Sequence, residues 1–367
     1  MTDPVRVGLI GAGSVSGQYL KNLQRFPDVE VVAIGDIETN RAEQVAREYR
    51  VPRHGAPDLV LAQDEVEVIV NLTIPAAHAE VSAAILEAGK HVWSEKPLAV
   101  ERSDARAVLE TADRLGLRVG TAPDTFLGQH IQSARRIIQS GRIGTPVSAI
   151  TMMQDPGSES WHPSPEFLYA RGGGPLYDRG PYYLTMLVQL FGSMARVGAL
   201  ATRARAERAV LAGPRAGSRF PVEVDTNVMV LTEFDSGVVA QSVHSFETAH
   251  LRMGFVEING SEGTLVVPDP NRYDGTLSVL EYGGTTWSEI PVPPVEHPQR
   301  GLGLVEMARA IRAGEPHRAS GQLAYHVLDS MAAIDESVAA RSFIDVASRV
   351  DDIPLVPAGW DPYECTL

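Results

Sequence analysis

A lysine, an aspartate and a tyrosine stand in two segments of this chain where they could transfer protons. Lys96 lies in the triplet Glu95-Lys96-Pro97, and Asp178 and Tyr182 follow a run of glycines at positions 172–174. A lysine can hydrogen-bond a hydroxyl of a bound molecule, and it can exchange a proton with it when its surroundings lower its pKa. A tyrosine phenol can exchange protons in the same way. We therefore predict that Lys96, Tyr182 and Asp178 are catalytic.

A glycine-rich loop follows the first apolar run of the chain and precedes a helical pattern. Gly11 permits a tight turn there, and Gly13 lets the backbone approach a pyrophosphate lying at the helix N-terminus. Ser16 takes the place of the third glycine, and its side chain is small enough for close helix packing. In this context the loop predicts a dinucleotide-binding site that includes Gly11, Gly13, Ser14, Val15 and Ser16.

Asp36 ends the second apolar run, where a carboxylate can accept hydrogen bonds from the adenosine ribose hydroxyls. The same charge would repel a 2′-phosphate, so Asp36 favours NAD over NADP as the cofactor. Arg41 lies close enough in sequence to help hold a phosphate, which leaves NADP as the alternative. With the loop upstream, Asp36 indicates a redox cofactor beside the predicted proton-transferring residues.

The residues that must position this chemistry follow two different patterns along the chain. Residues 5 to about 121 alternate short apolar runs with amphipathic stretches, which is typical of a doubly wound parallel sheet. The predicted strands are 5–10, 29–34, 66–72, 91–93 and 118–120, and the predicted helices are 40–49, 77–88 and 103–115, with Ser103 as an N-cap. We predict a Rossmann domain over residues 1–122.

After Ala122 the runs become richer in β-branched residues. Strands of a large open, mostly antiparallel sheet are predicted over 147–153, 228–234, 238–243, 255–259 and 264–267, with turns at 235–237 and 259–263. Helices are predicted over 131–140, 304–312 and 323–341. A fourth helix is predicted after Pro175, with Pro181 in its first turn and Asp178 at or just before its start. Residues 123–367 therefore predict a C-terminal α/β domain.

Composition excludes several classes of function. The formal charge of −14 and the absence of a basic run disfavour nucleic acid as a partner. No apolar run reaches the roughly 18 residues that a membrane span needs, and the ten histidines form no metal-binding pattern. The first residues do not read as an export signal, and the single cysteine, Cys365, cannot form an internal disulfide. We expect a soluble, cytoplasmic protein that binds no metal and no membrane.

The order of these motifs resembles the glucose-fructose oxidoreductase, inositol dehydrogenase and MocA family. The resemblance rests on Gly11-Ala12-Gly13, Glu95-Lys96-Pro97 and the segment 172–182, with support from 74–78 and 87–92, and it covers nearly the whole chain. It implies the two domains predicted above, dimers or tetramers joined through the C-terminal sheet, a catalytic Lys96, and Asp178 in the substrate site. It adds Thr73, Pro75, His78, Glu95 and Lys96 to the cofactor-binding residues.

Two positions depart from the inositol dehydrogenases of that family. Tyr182 stands where many relatives carry histidine, although members similar to glucose-fructose oxidoreductase carry tyrosine. Thr185 stands where a second acidic residue is expected. Both departures argue against cyclitol specificity, so we expect the substrate to be a sugar or a glycoside.

We predict hydride transfer between nicotinamide and a secondary hydroxyl of that substrate. Trp161 and His162 suit a sugar's apolar face and hydroxyl rim, although core packing explains them equally well. Arg171 and Arg179 could bind an anionic group, although surface charge is the alternative. The predicted substrate-binding residues are Lys96, Trp161, His162, Arg171, Asp178, Arg179 and Tyr182.

Two other functions use overlapping residues and stay open. One is an NAD-dependent glycosidase or lyase, in which transient oxidation of a glycoside, anionic or neutral, makes a neighbouring C–H acidic before the glycosidic bond breaks. The other is a non-catalytic cofactor-binding regulator, against which Lys96 and Tyr182 argue. Net production of NADH distinguishes the dehydrogenase from the glycosidase.

Overall fold

The computed structural model describes residues 3–292 and 300–367. Within these residues the chain clusters into two compact units. The first takes the chain up to Leu127, from Arg300 to Tyr325 and from Pro354 to the C-terminus, and the second takes the rest. The predicted domain boundary after residue 122 stays a prediction. Among the described helices, none combines the length and the apolar character that crossing a lipid bilayer requires.

The first unit contains a parallel sheet of six strands with helices between them, which confirms the predicted Rossmann fold. Its strand order is β3-β2-β1-β4-β5-β6. The strands are β1 (Val5–Ile10), β2 (Val29–Gly35), β3 (Arg53–Gly55), β4 (Val68–Asn71), β5 (His91–Ser94) and β6 (Val119–Thr121). The helices are α1 (Ser16–Leu23), α2 (Thr39–Tyr49), α3 (Pro57–Leu61), α4 (His78–Glu87) and α5 (Arg102–Leu115). Since all six strands run the same way, the residues after β1, β2, β4 and β5 share one sheet edge.

The prediction that Ser103 caps a helix is wrong. Helix α5 begins at Arg102, so Glu101 takes the N-cap position and Ser103 lies inside the first turn. The Ser103 hydroxyl instead lies 3.3 Å from a carboxylate oxygen of Asp104.

The second unit contains a nine-stranded sheet that is antiparallel except for one parallel pair, as predicted for the C-terminal domain. Its order is β16-β15-β14-β13-β7-β12-β11-β8-β17, with β7 and β12 parallel. Its strands are β7 (Pro146–Gln154), β8 (Met194–Thr202), β11 (Asn227–Phe234), β12 (Val239–Ser245), β13 (Arg252–Gly260), β14 (Gly263–Val267), β15 (Leu277–Glu281), β16 (Ser288–Ile290) and β17 (Ile344–Asp345). A separate two-stranded ribbon pairs β9 (Glu207–Ala209) with β10 (Arg219–Pro221).

Three helices of the second unit precede most of these strands: α6 (Gln129–Gln139), α7 (Gly174–Asp178) and α8 (Gly180–Phe191). Helix α8 is buried along nearly its whole length, and Pro181 lies in its first turn as predicted. The start of α8 at Gly180 also confirms that Asp178 lies just before the helix. Two further helices lie between β16 and β17 in the chain: α9 (Leu302–Ala313), which belongs to the first unit, and α10 (Gly321–Ala340), most of which belongs to the second.

Candidate active site

The glycine loop after β1 has the geometry of a dinucleotide-binding turn. Gly11 has a φ of +107°, and a Cβ at that position would lie 2.6 Å from the carbonyl oxygen of Leu72. A Cβ at Gly13 would meet no atom within 4 Å, and both Gly13 and Ser14 are exposed. The backbone of Gly13 is therefore open to a ligand at the start of α1. Val15 is partly exposed beside it.

Ser16 begins α1 and is buried, as its predicted role in close packing requires. Its hydroxyl donates to the Gly13 carbonyl oxygen at 2.7 Å, so it also fixes the turn. Gly17 allows a second close approach, because a Cβ there would lie 2.9 Å from the Tyr49 hydroxyl.

Asp36 holds the same loop from the end of β2. One oxygen of its buried carboxylate accepts the backbone N–H of Ala12 at 2.7 Å, and the other accepts the N–H of Glu38 at 2.8 Å. The guanidinium of Arg41 lies 3.6 Å away. Each carboxylate oxygen can accept a second hydrogen bond, so the predicted contact with ribose hydroxyls is compatible with these bonds.

Two exposed isoleucines flank the glycine loop on the same sheet edge. Ile37 follows β2, and Ile74 follows β4, the two strands that lie on either side of β1. Both side chains are largely exposed although they are apolar. They offer apolar contact to a flat ring beside the loop. The sequence did not predict them, because an apolar residue in a sequence does not show whether its side chain is exposed.

The turn after β4 depends on Asn71, which sequence reasoning also missed. Its amide donates to the carbonyl oxygen of His78 at 3.0 Å and to the Ser82 hydroxyl at 3.1 Å, and its side-chain oxygen accepts the Thr73 hydroxyl at 2.6 Å. These bonds fix Thr73 and the helical turn that starts at Pro75. An asparagine at the carboxyl end of a buried strand is the signal that could have identified it.

His78 joins this turn to the loop that carries Lys96. Its Nδ1 lies 2.6 Å from the carbonyl oxygen of Pro97, and its Nε2 lies 3.0 Å from that of Thr73. Burial lowers the pKa of His78 despite these two carbonyls, so the neutral ring donates its single N–H to one of them. His78, which is one of the predicted cofactor-binding residues, is thus buried behind these two loops.

Glu95 anchors the loop after β5 through a chain of buried hydrogen bonds. The indole N–H of Trp93 donates to the Tyr19 hydroxyl at 3.2 Å, and that hydroxyl donates to one Glu95 oxygen at 2.9 Å. The other Glu95 oxygen accepts the backbone N–H of Lys96 at 3.1 Å. Lys96 is consequently held at the carboxyl edge of the sheet by its neighbour, and its side chain is partly exposed.

In the second unit, Asp178 and Tyr182 lie at the junction of α7 and α8. Arg179 forms an ion pair with Asp178 at 3.3 Å, and Tyr182 is buried in the first turn of α8. Burial alone would lower the pKa of Arg179, but negative charges led by Asp178, with Asp155 and Asp269, raise it. Arg179 is thus already balanced by carboxylates of its own unit.

The remaining predicted substrate residues differ in their surroundings. Trp161 is exposed, and its ring contacts that of His162 with centroids 5.3 Å apart. Burial lowers the pKa of His162 although the charge of Asp178 acts in the opposite direction, so His162 lies within electrostatic range of Asp178. Arg171 is exposed. In the described part of the chain, no group of three or more histidine, cysteine, aspartate or glutamate side chains could hold a metal ion.

Comparison with known protein families agrees with both units. Residues 5–122 match the model described as "Oxidoreductase family, NAD-binding Rossmann fold", and residues 131–266 match the "GFO/IDH/MocA C-terminal domain". Together the two matches cover more than half of the chain. The chain belongs to the GFO/IDH/MocA family. It is an NAD-binding oxidoreductase, as the motifs predicted.

Curated relatives and solved structures extend this similarity over most of the chain. The chain is 28% identical to 1,5-anhydro-D-fructose reductase of Ensifer adhaerens, over 79% of this chain and 83% of that protein. It is 25% identical to scyllo-inositol 2-dehydrogenase (NAD(+)) of Bacillus subtilis, over 86% and 88%. The fold matches levoglucosan dehydrogenase in complex with NADH and L-sorbose, with a TM-score of 0.83 and 22% identity over 95% of this chain and 100% of that one.

Proposed function

We propose that this member of the GFO/IDH/MocA family transfers a hydride between nicotinamide and a secondary hydroxyl of a sugar or glycoside. The observation that carries the proposal is the position of Lys96. It follows β5 at the same sheet edge as the glycine loop after β1, and Glu95 fixes its backbone there. The relatives named above act on anhydrofructose and inositol, which supports a polyhydroxylated substrate.

The residues of the first unit fit NAD. The open space above Gly13, the exposed start of α1 and the Asp36 carboxylate match a pyrophosphate followed by a ribose. When bound, NAD supplies the hydride acceptor. We propose that Gly11, Gly13, Ser14, Val15 and Ser16 hold the pyrophosphate, with Asp36 on the ribose and Thr73, Pro75, His78 and Glu95 shaping the nicotinamide end.

The chain's own residues move the proton that accompanies oxidation. Tyr182 accepts the proton of the substrate hydroxyl, and Lys96 stabilises the negative charge on the developing carbonyl oxygen. Asp178 orients a neighbouring hydroxyl by accepting its hydrogen bond, and Arg179 holds that carboxylate in place. Trp161 and His162 contact the bound substrate.

A neutral substrate is favoured over an anionic one. The Arg179 guanidinium is paired with Asp178, and its pKa is also raised by the charges of Asp155 and Asp269. A carboxylate or sulfonate on the substrate would be repelled by these three carboxylates, and this repulsion opposes its attraction to Arg179. Arg171 is the remaining predicted cation on that segment, and it is exposed, where solvent screens a pair.

Replacement of Lys96 tests the proposal. In Lys96→Met, NADH formation from a sugar and glycoside panel should fall about 10²- to 10⁴-fold, which is the contribution of a general acid–base group to the rate. NAD should remain bound, as measured by release from denatured protein. The matched control is Lys21→Met, an exposed lysine on α1. Full activity in Lys96→Met would refute the assignment, and bond cleavage without accumulated NADH would replace it by a redox-neutral glycosidase.

We also propose that the nine-stranded sheet joins copies of the chain into a dimer or tetramer. Its solvent face exposes apolar side chains on adjacent strands, namely Leu200 on β8, Met229 and Leu231 on β11, and Val239 on β12. Contiguous apolar surface of this kind marks an interaction site. In Leu231→Glu, light scattering after size-exclusion chromatography should show a smaller species than the wild type. A wild-type monomer would refute this proposal.

A further inference from the structure

The segment that follows β7 in the second unit leaves two large aromatic side chains in solvent. Trp161 is 54% exposed and Phe167 is 36% exposed. The ring of His162 contacts both, with centroids 5.3 and 5.4 Å away and planes near perpendicular, at 77° and 73°. We call these three residues the aromatic strip. Because exposed apolar surface is unfavourable in water, a fixed strip of this kind marks a place where a ligand packs.

A buried cluster beneath the strip fixes its position. The guanidinium of Arg208 donates to a carboxylate oxygen of Glu159 at 2.5 Å and to the carbonyl oxygen of Pro156 at 3.0 Å. The Tyr169 hydroxyl donates to the other Glu159 oxygen and accepts the N–H of Ser158 at 3.1 Å. The strip is thus built on an ordered foundation, and little conformational entropy is lost when a ligand binds it.

Gly157 shows how tightly this foundation is packed. Its φ is +117°, and a Cβ there would lie within 2.3 to 2.5 Å of the side chains of Glu159, Arg208 and Tyr169. The backbone that leads into Trp161 therefore passes directly over the buried cluster. The backbone N–H of His162 donates to the Ser158 carbonyl oxygen at 2.8 Å, so the strip is hydrogen-bonded to this tightly packed segment.

His162 gives the strip a directed polar group. Its Nδ1 accepts the backbone N–H of Ser164 at 3.0 Å, so this nitrogen carries no proton. Burial lowers the pKa of His162, so the ring is neutral near pH 7 and its proton is on Nε2. The imidazole therefore offers one N–H donor between two exposed rings, within electrostatic range of Asp178.

We propose that the aromatic strip is a second recognition subsite, which binds a ring joined through a glycosidic oxygen to the sugar that is oxidised. Trp161 and Phe167 pack against the flat face of this second ring, and His162 Nε2–H donates to one of its oxygens or to the glycosidic oxygen. The substrate is therefore a glycoside in preference to a free monosaccharide. This inference rests on the proposed function and narrows its substrate class.

The test compares probes that differ only in the second ring. Methyl glycosides, phenyl glycosides and disaccharides of glucose, galactose, mannose and xylose are titrated into NAD-loaded protein by calorimetry. We expect at least one two-ring probe to bind about tenfold tighter than its methyl counterpart, as one aromatic stacking contact can provide. The disaccharide and phenyl arms distinguish a second sugar from an aromatic aglycone.

The variants Trp161→Ala and Phe167→Ala should each remove most of that preference. The matched control is Trp287→Ala, which removes a tryptophan of the same unit that is 42% exposed outside the strip. The inference is overturned if no two-ring probe binds tighter than its methyl counterpart, or if both strip variants keep the wild-type ratio.

These titrations, together with the NADH assay of the wild type and Lys96→Met, separate this inference from the proposed function. If methyl glycosides are oxidised with NADH formation and the second ring adds no affinity, the function stands and the subsite fails. If two-ring probes bind through Trp161 while Lys96→Met and the wild type are equally active, the subsite stands and the catalytic assignment fails.

Discussion

Arg208 is a buried cation of the second unit whose replacement should be costly, and the structure allows its cost to be worked out. Its side chain is 2% exposed, and it neutralises two carboxylates that are themselves largely buried. One is Glu159 at 2.5 Å, and the other is Glu247 at 2.9 Å. The change Arg208→Met keeps most of the apolar stem and removes the charge. Glu159 then remains buried without Arg208, and Glu247 keeps only its ion pair with Arg205, whose side chain is 60% exposed.

Breaking a buried ion pair by removing one partner costs about 3 to 5 kcal/mol, because the other charge is left uncompensated. For a unit of this size, that loss corresponds to a fall in the unfolding midpoint of about 6 to 20 °C. The control Arg219→Met breaks the exposed pair between Arg219 and Glu207, whose side chains are 71% and 56% exposed. Exposed pairs contribute about 0 to 1 kcal/mol, so this control should lower the midpoint by no more than a few degrees.

The pH dependence gives an independent check of the cause. Burial would raise the pKa of Glu247, but hydrogen bonds from Thr226 and Arg208 outweigh it and hold the pKa below its ordinary value. This depressed pKa stabilises the wild type above about pH 4.3, the pKa of an unfolded glutamate, and the contribution is lost as the pH falls further. In Arg208→Met the same burial acts with less opposition, so the variant is penalised at pH 7 and relieved as the carboxylates protonate.

Calorimetric or fluorescence-detected thermal unfolding at pH 7.5 and pH 4.5 therefore tests the argument. The deficit of Arg208→Met should be large at pH 7.5 and smaller at pH 4.5. Adding Glu159→Gln and Glu247→Gln to the variant should recover part of the deficit at pH 7.5, since no buried charge is then left unpaired. A deficit that matches the Arg219→Met control, or one that is independent of pH, would show that the reasoning is wrong.

Three further predictions concern the cofactor site. Gly11→Ala should lower both the unfolding midpoint and the affinity for NADH, because its φ is +107° and a Cβ would lie 2.6 Å from the Leu72 carbonyl oxygen. Gly13→Ala should leave the midpoint unchanged, since no atom lies within 4 Å of the added Cβ, yet weaken NADH binding about tenfold or more by occupying the open space. Fluorescence titration with NADH checks both, and equal affinities in Gly13→Ala and wild type would contradict a pyrophosphate at this loop. Asp36→Ser should weaken NADH and improve NADPH relative to it, and an unchanged ratio of the two dissociation constants would remove Asp36 from the ribose site.

The parts of the fold that the sequence could predict are those with local signals. Strand β1 and the loop at Gly11 occur within a few residues of each other, and the start of α8 is marked by Pro181 alone. Strand β8 was missed because Gly198 and several alanines give it little intrinsic preference for a strand. Strand β8 forms because it pairs with β11 along eight consecutive residues of β11. The sequence of β8 alone does not show which strand it pairs with.

The return of the chain to the first unit has the same explanation. A carboxylate oxygen of Asp124 accepts the backbone N–H groups of Gly301 and Gly303 at 3.0 and 3.1 Å, at the start of α9. These contacts join positions 177 and 179 residues apart. A pattern read in short windows predicts that α9 is a helix, but it contains no information about which sheet that helix packs against. The cluster of Arg208, Glu159 and Tyr169 was missed for the same reason.

In the triplet Glu95-Lys96-Pro97, two neighbouring charged residues have different expected roles. The family resemblance assigns both charged side chains to the cofactor site. In the structure, each Glu95 oxygen already accepts a hydrogen bond, one from Tyr19 and one from the Lys96 backbone. We therefore expect Glu95 to act by positioning, since it fixes the backbone from which the Lys96 side chain extends. A substitution of Tyr19 should for that reason change catalytic activity by displacing Lys96, although Tyr19 lies 76 residues before Glu95 and is fully buried.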